Sequence, residues 1–145
     1  MQKIPTLLPV VAALLINAKG HVLVQRRPDF GSMAGLWEFP GGKLEPGETP
    51  ERALSRELGE ELGISVDDAD LAPLSFASAS LGERHLLLML FTCEHWSDEP
   101  RALHASELRW VSVDELAGLD MPPADEPLIP HIKNWYVAKN LRMSV

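Results

Sequence analysis

Six glutamates and only three basic residues lie between positions 41 and 64 of this 145-residue chain. Three of the glutamates, Glu57, Glu60 and Glu61, are spaced i, i+3 and i+4. In a helix this spacing places side chains on one face, because successive residues turn by about 100°. Hard divalent cations such as Mg²⁺ prefer carboxylate oxygens. The segment therefore predicts a metal site, although in many proteins an acidic helix face is only a solvated surface.

The residues around these glutamates predict a helix that packs on a sheet. Thr49 and Pro50 form a typical helix start, because a Thr hydroxyl can accept from a free amide and proline is tolerated at the first helical position. Gly63 predicts the end of the helix. Three leucines form the apolar stripe that would contact the sheet: Leu54, Leu58 and Leu62.

Two glycines, Gly41 and Gly42, follow the strand-like LWEF just before this helix. They predict a flexible elbow at which the backbone can approach a ligand or an ion closely. The GGK stretch is not a phosphate loop of the form G-x-x-x-x-G-K-[ST], because Leu44 follows Lys43. The sequence also lacks G-x-S-x-G and H-E-x-x-H, the motifs of many serine hydrolases and zinc proteases.

Hydrophobic patterning predicts the sheet that positions the helix. PTLLPVVAALL is expected to be a buried strand, and HVLVQRR a second strand joined to it as a hairpin. RHLLLMLFTC is typical of a central strand, with LAPLSFASAS as its partner, and ELRWVSV is another strand. Ser112 can cap a short helix, and a proline-rich loop leads to a last helix at 131–143. The pattern predicts an α/β fold, a mixed sheet with helices on its faces, in one domain spanning 1–145.

Composition narrows the classes of partner. The net charge is −8 and the pI is near 5.0, so a nucleic-acid polymer is not expected as a ligand. The N-terminal apolar run is too short for a membrane span and lacks a signal-peptide cleavage site. The single cysteine, Cys93, cannot form an intrachain disulfide, which favours a reducing, cytoplasmic location. A monomer and a homodimer both remain open.

The acidic segment resembles the Nudix box, G-x5-E-x7-R-E-U-x-E-E-x-G-U, in which U is aliphatic. All nine specified positions agree: Gly42, Glu48, Arg56, Glu57, Leu58, Glu60, Glu61, Gly63 and Ile64. The similarity extends to VQRR, GLWEFPGGK, RHLLL and PPADEPLI, which resemble the MutT-type branch. It implies a Nudix α/β/α sandwich and a hydrolase that converts a nucleoside triphosphate to the monophosphate and pyrophosphate.

The resemblance also implies roles for the box residues. Glu57, Glu60 and Glu61 would hold Mg²⁺, or Mn²⁺ as a substitute, together with the Gly41 carbonyl. The ions would neutralise the phosphates and lower the pKa of a bound water. Two further box residues, Glu48 and Arg56, would support the metal ligands through bidentate hydrogen bonds. Among the glutamates we expect Glu57 to be the general base.

Substrate contacts follow from the same resemblance. It assigns the nucleobase and the phosphates to six residues: Arg27, Phe39, Gly42, Lys43, Arg84 and Asp125. Phe39 would offer a stacking face, and an ionised Asp125 would accept hydrogen bonds from a base edge. Asp125 excludes neither guanine nor cytosine, but a second donor such as Arg27 or Arg84 could bond the 8-oxo oxygen, for which cytosine has no counterpart. We therefore expect 8-oxo-dGTP as the substrate, with CTP or 5-methyl-dCTP as the alternative. A nucleotide sensor without catalysis is the alternative of another class.

One position departs from the MutT-type pattern. Relatives in this branch often contribute a further glutamate from the loop before the RW strand, where this chain has His104. Histidine is a poorer ligand for Mg²⁺ than a carboxylate. Glu107 follows three residues later and is the predicted substitute ligand, with His104 itself, or neither residue, as the alternatives.

Overall fold

The computed structural model describes residues 4–143, except for the side chain of Met143. The strands are β1 (Thr6–Leu15), β2 (Val22–Arg26), β3 (Trp37–Glu38), β4 (Gly41–Lys43), β5 (Ala72–Leu81), β6 (Arg84–Cys93) and β7 (Glu107–Val111). The helices are α1 (Pro50–Leu62) and α2 (Leu128–Met143), with 3-10 helices at Asp68–Asp70 and Val113–Gly118. None of the described helices is long and apolar enough to cross a bilayer.

A mixed sheet has the strand order β4-β1-β6-β5. Strands β1 and β6 are its inner strands and pair in parallel, whereas the two outer pairings are antiparallel. The prediction that RHLLLMLFTC is a central strand with LAPLSFASAS as its partner is therefore confirmed. Parallel inner strands are typically covered on both faces, which explains their nearly continuous apolar sequences.

A second, antiparallel sheet has the order β3-β2-β7. The predicted hairpin between β1 and β2 exists only at its turn, where the Asn17 amide donates to the His21 carbonyl at 3.0 Å. One bridge, Ile16 to Val22, follows this turn, and β2 then pairs with β3 and β7 instead. The reason is that both edges of β1 are already occupied by β4 and β6.

Two hydrophobic cores lie on opposite faces of β1. Val11, Ala13 and Leu15 belong to the core that includes the α1 leucines. The alternate residues of the same strand belong to the core that includes Leu128 and Ile132 of α2. Because successive strand residues point to opposite faces, one strand contributes to both cores. The expected α/β/α sandwich is confirmed.

Helix α1 begins and ends at the predicted residues. The Thr49 side chain accepts from the Arg52 amide at 3.2 Å, and Pro50 is the first helical residue. At the other end Gly63 has φ 69°, a left-handed conformation that favours glycine, and its amide donates to Gly59. The predicted leucine stripe is fully buried, which fixes the rotation of the helix on the sheet.

Two predictions about local structure need correction. Gly41 and Gly42 are not a flexible elbow, because β4 pairs in register with β1 through Ala12 and Val11. The last helix begins at Leu128, three residues before the predicted start. Its early prolines lie in or next to the first turn, where a missing amide hydrogen removes no helical hydrogen bond.

Candidate active site

An open cavity of about 490 Å³ lies beside strand β4. Its size is typical of sites for small molecules. Strands β1, β4, β5 and β6 and the loop before α2 supply most of its wall. The predicted site residues that line it are Arg27, Phe39, Gly41, Gly42, Lys43, Glu61 and Asp125, together with His104. We call the part of the cavity at Glu61 its acidic end and the part at Phe39 and Asp125 its apolar end.

At the acidic end, Glu61 is fixed by residues distant in sequence. Its Oε2 accepts from the Gln25 side-chain amide and from the Gly41 backbone amide, each at 3.1 Å. Burial raises the pKa of Glu61 to about 7, although both hydrogen bonds lower it. The negative charges of Glu57 and Glu38 raise it further. Glu61 is therefore a carboxyl group on which a proton and a cation would compete.

Arg56 organises the other glutamates of the acidic segment. Its Nε and Nη2 donate to the two Glu48 carboxylate oxygens at 2.8 and 2.9 Å, a bidentate pair. Its Nη1 donates to Glu57 at 3.0 Å and to Glu60 at 3.3 Å. The hydrogen bond from Arg56 lowers the pKa of Glu48 to about 2. One guanidinium thus ties α1 to the chain that precedes it.

Strand β4 and α1 approach each other most closely at Gly42. A Cβ atom at this position would lie 2.5 Å from the Glu57 carboxylate carbon. The Glu57 side chain, only 15% exposed, therefore occupies the space that any other residue at position 42 would need. The adjacent Lys43 carbonyl accepts from Arg56 at 3.1 Å, so β4 holds both groups in place.

The donor atoms in this region fit a hard divalent cation in their chemistry but are not gathered around one point. Within residues 4–143, no three His, Cys, Asp or Glu side chains come close enough to hold a metal ion. Glu60 is 60% exposed and points toward Arg56. A cation shared by Glu57, Glu60 and Glu61 would require these side chains to rotate toward one another. Burial and, to a smaller extent, the charge of Glu57 raise the pKa of Glu61, and both effects favour a neutralising ion beside it.

The apolar end of the cavity carries Phe39 and Asp125, both buried. The Phe39 backbone amide donates to Asp125, but burial and the nearby charge of Glu38 raise the pKa of Asp125 to about 7. The expectation that Asp125 is an ionised acceptor therefore needs revision. Near neutral pH a fraction of this carboxyl is protonated and can also donate a hydrogen bond.

Comparison with known proteins identifies the family. A sequence profile of the NUDIX domain matches residues 11–131. This chain belongs to the Nudix family. The match covers most of the chain, including α1 and all the strands except the first residues of β1, and it confirms the resemblance seen in the acidic segment.

Individual Nudix relatives support the MutT-type branch. An 8-oxo-dGTP diphosphatase of Escherichia coli strain K12 is 36% identical over 126 residues, which cover 87% of this chain and 96% of that protein. A CTP pyrophosphohydrolase of the same strain is 38% identical over 122 residues, covering 82% and 87%. The crystal structure of a MutT protein from Methanosarcina mazei Go1 has a TM-score of 0.77 at 25% identity, covering 96% and 99%.

Six predicted residues of this Nudix hydrolase do not line the cavity: Glu48, Arg56, Glu57, Glu60, Arg84 and Glu107. Arg84 is exposed at the start of β6 and does not line it. Glu107 has a half-exposed side chain on β7 and pairs with Arg109 at 3.4 Å. His104 does line the cavity, because the neighbouring Leu103 amide donates to the Glu61 carbonyl at the end of α1. The loop therefore presents His104, and not Glu107, to the acidic end.

Sequence reasoning missed two residues of the Nudix site. Gln25 is fully buried in β2 and its Nε2 contacts Glu61, while its Oε1 has no partner among the described residues. Glu38 lines the cavity and pairs with Arg27. A polar residue within a buried strand was the available signal for Gln25. For Glu38 the signal was a charged residue inside the strand-like LWEF.

Proposed function

We propose that this Nudix hydrolase cleaves a nucleoside triphosphate to the monophosphate and pyrophosphate, with 8-oxo-dGTP as its preferred substrate. The supporting observation is that one cavity is lined both by the buried residues Phe39 and Asp125 and by Glu61 of the acidic segment. Such an enzyme would remove oxidised nucleotides from the cytoplasmic pool before they enter DNA. The name of the 36% identical relative supports the same substrate.

We further propose Mg²⁺ as the cofactor, with Mn²⁺ as a substitute. Glu57, Glu60, Glu61 and the Gly41 carbonyl would hold the ions, which supply phosphate neutralisation and a water of lowered pKa. Arg56 keeps the carboxylates of Glu57 and Glu60 on one side of α1.

The remaining steps belong to the chain's own side chains. Glu57 would accept the proton of the attacking water, since its carboxylate is fixed between Arg56 and Gly42. Lys43 and Gly42 line the wall between the two ends of the cavity, where the phosphates of a bound nucleotide would lie. Phe39 and Asp125 hold the base at the far end.

The pocket chemistry favours an oxidised purine. A partly protonated Asp125 can both donate and accept, and Arg27 supplies a further donor that can reach an 8-oxo oxygen. CTP and 5-methyl-dCTP remain the second candidates, because the ionised form of Asp125 can accept from a cytosine amine. The 38% identical CTP pyrophosphohydrolase supports that alternative.

Pyrophosphate release from a nucleotide panel tests the proposal. The wild-type protein is expected to release pyrophosphate from 8-oxo-dGTP with Mg²⁺ or Mn²⁺ and to be inactive with EDTA. A Glu57→Gln, Glu60→Gln, Glu61→Gln variant should lose on the order of a hundredfold or more in kcat, because it removes charge while keeping shape. A control that neutralises three exposed carboxylates elsewhere, Glu83→Gln, Glu99→Gln and Asp114→Asn, should keep its activity.

Three outcomes would contradict different parts of the proposal. Parental activity in a well-folded triple Gln variant would remove the glutamates from the reaction. A higher kcat/KM for CTP or 5-methyl-dCTP than for 8-oxo-dGTP would overturn the substrate and leave the hydrolase chemistry intact. Nucleotide binding without any pyrophosphate release would indicate a sensor.

A further inference from the structure

Glu38 occupies a place in the cavity that the Nudix box does not explain. It ends the short strand β3, and its side chain is 22% exposed. One carboxylate oxygen accepts from Arg27 Nη1 at 2.9 Å. The Nε of the same arginine donates to the Ser32 carbonyl at 3.0 Å. Arg27 is therefore held at two points. Its side chain is about one-third exposed and lines the cavity.

The Glu38–Arg27 pair lines the same cavity as Asp125. Both charges act on the Asp125 carboxyl, Glu38 against its ionisation and Arg27 in favour of it. The Phe39 amide binds Asp125 from the residue next to Glu38. Glu38 also acts on Glu61, so its carboxylate lies within electrostatic range of both ends of the cavity.

The neighbouring ion pair provides a contrast. Arg26 Nη2 lies 3.2 Å from Asp29, whose side chain is 73% exposed. Neither Arg26 nor Asp29 lines the cavity. Arg26 is the last residue of β2, and Arg27 follows the strand. The two arginines form similar ion pairs, but of these two pairs only Arg27–Glu38 lines the cavity.

We infer that Glu38 is a positioning residue that determines base specificity, because it holds the Arg27 guanidinium beside Asp125 in the orientation that a base meets. An unpaired arginine samples many rotamers, and ordering it on binding would reduce affinity. A guanidinium fixed before binding presents donors in one direction and selects bases with an acceptor there. This inference rests on the proposed function, since it assigns the base selection of the same site.

Binding of nucleoside monophosphates tests the inference without metal or turnover. Calorimetry in metal-free buffer would give Kd for 8-oxo-dGMP, dGMP and CMP. The Glu38→Gln variant keeps the shape of the side chain and removes its charge. It should bind the tightest-binding of the three nucleotides roughly tenfold more weakly, and the ratios between the three Kd values should become smaller. Asp29→Asn, which removes the matched charge beside Arg26, should behave as wild type. Glu38→Asp should keep part of the discrimination.

A double-mutant cycle separates positioning from a general structural effect. If Glu38 acts through Arg27, Glu38→Gln should cause no further loss in an Arg27→Gln background. The inference is overturned by unchanged Kd ratios in Glu38→Gln, by an equal loss in both backgrounds, or by a wild-type protein that does not distinguish the three bases. Failure of the proposed function would be seen in a different measurement, as the absence of pyrophosphate release by the wild-type protein. In that case the ratios of the Kd values would still decide the role of Glu38.

Discussion

The environment of Glu61 combines opposing effects on one carboxyl group. Burial and the nearby carboxylates favour the protonated form, whereas the amide donors of Gln25 and Gly41 favour the ionised form. Because the resulting pKa is about 7, small changes in charge nearby alter the fraction that is ionised. A cation near Glu57 and Glu61 would displace the proton, so metal binding to this residue is expected to weaken as the pH falls.

His104 and Glu107 are the two candidates for a further metal ligand outside the acidic segment. The structure places His104 on the cavity wall and Glu107 on the exposed side of β7. His104→Ala is therefore expected to weaken Mn²⁺ binding, measured by calorimetry, or to slow turnover, by roughly tenfold. Glu107→Gln, the control, should change both by less than twofold. The reverse pattern would restore Glu107 as the distal ligand, and no effect from either variant would leave the metal site to the box carboxylates and water.

Residue contacts were predictable only where they are local in sequence. The i, i+3, i+4 spacing placed Glu57, Glu60 and Glu61 on one helix, because helical geometry alone fixes that relation. The partner of Glu61, Gln25, is 36 residues away, and no periodicity specifies such a contact. The raised pKa of Asp125 was missed for the same reason, since it depends on burial and on Glu38.

At the scale of elements, the junction of β4 and α1 shows which features could be predicted from the sequence. Capping residues and a leucine stripe predicted α1 correctly, because these signals act within one helix. They did not predict that the adjoining glycines form a strand, since strand pairing with β1 depends on a distant segment. The pairing of β2 with β3 and β7 was also missed. An alternating pattern predicts a strand but does not indicate which other strand it pairs with.

Gly42→Ala tests this junction directly. The added Cβ would meet the end of the flexible Glu57 side chain, which can move away, so the fold should persist while Glu57 leaves its place beside Arg56. We expect kcat to fall at least tenfold with little change in Tm, because a displacement of about 1 Å in a reacting group can slow a reaction a hundredfold. Gly118→Ala, where the new methyl group meets no atom within 4 Å, is the control.

Gly41→Ala provides the second arm of the test. Its Cβ would overlap the Val11 carbonyl, which belongs to the backbone of β1 and cannot move aside. This variant should therefore lose stability, seen as a lower Tm. Full activity in a folded Gly42→Ala protein would show that the contact between Gly42 and Glu57 does not matter for the reaction.

At the scale of the whole molecule, charge and layering act together. The sandwich buries apolar residues on both faces of β1, and three carboxyl side chains, Glu38, Glu61 and Asp125, line one cavity. A net charge of −8 repels a triphosphate, so binding must rely on local positive charge, such as that of Lys43 on the cavity wall, rather than on the overall field. The layers were predictable from the apolar stripe and the buried strands, whereas the burial of Glu61 and Asp125, which raises their pKa values, required the folded chain.

Those buried carboxyls predict how stability depends on pH. The pKa values of Glu61 and Asp125 are raised to about 7, above the ordinary values of 4.5 and 3.8 that represent the unfolded chain. Between these values and pH 7 the folded state binds more protons, so the free energy of unfolding should fall as pH rises through this window. The lowered pKa of Glu48 affects stability only at more acidic pH.

Urea unfolding of the metal-free protein at pH 5 and at pH 8 tests this prediction. The free energy of unfolding should differ by on the order of a few kcal/mol between the two pH values, with the higher value at pH 5. A double variant, Glu61→Gln with Asp125→Asn, should reduce this difference. A control double variant that changes two exposed carboxylates, Glu83→Gln with Asp114→Asn, should keep it. A wild-type protein that is equally stable at both pH values, or more stable at pH 8, would show that these two groups are ionised in the folded state.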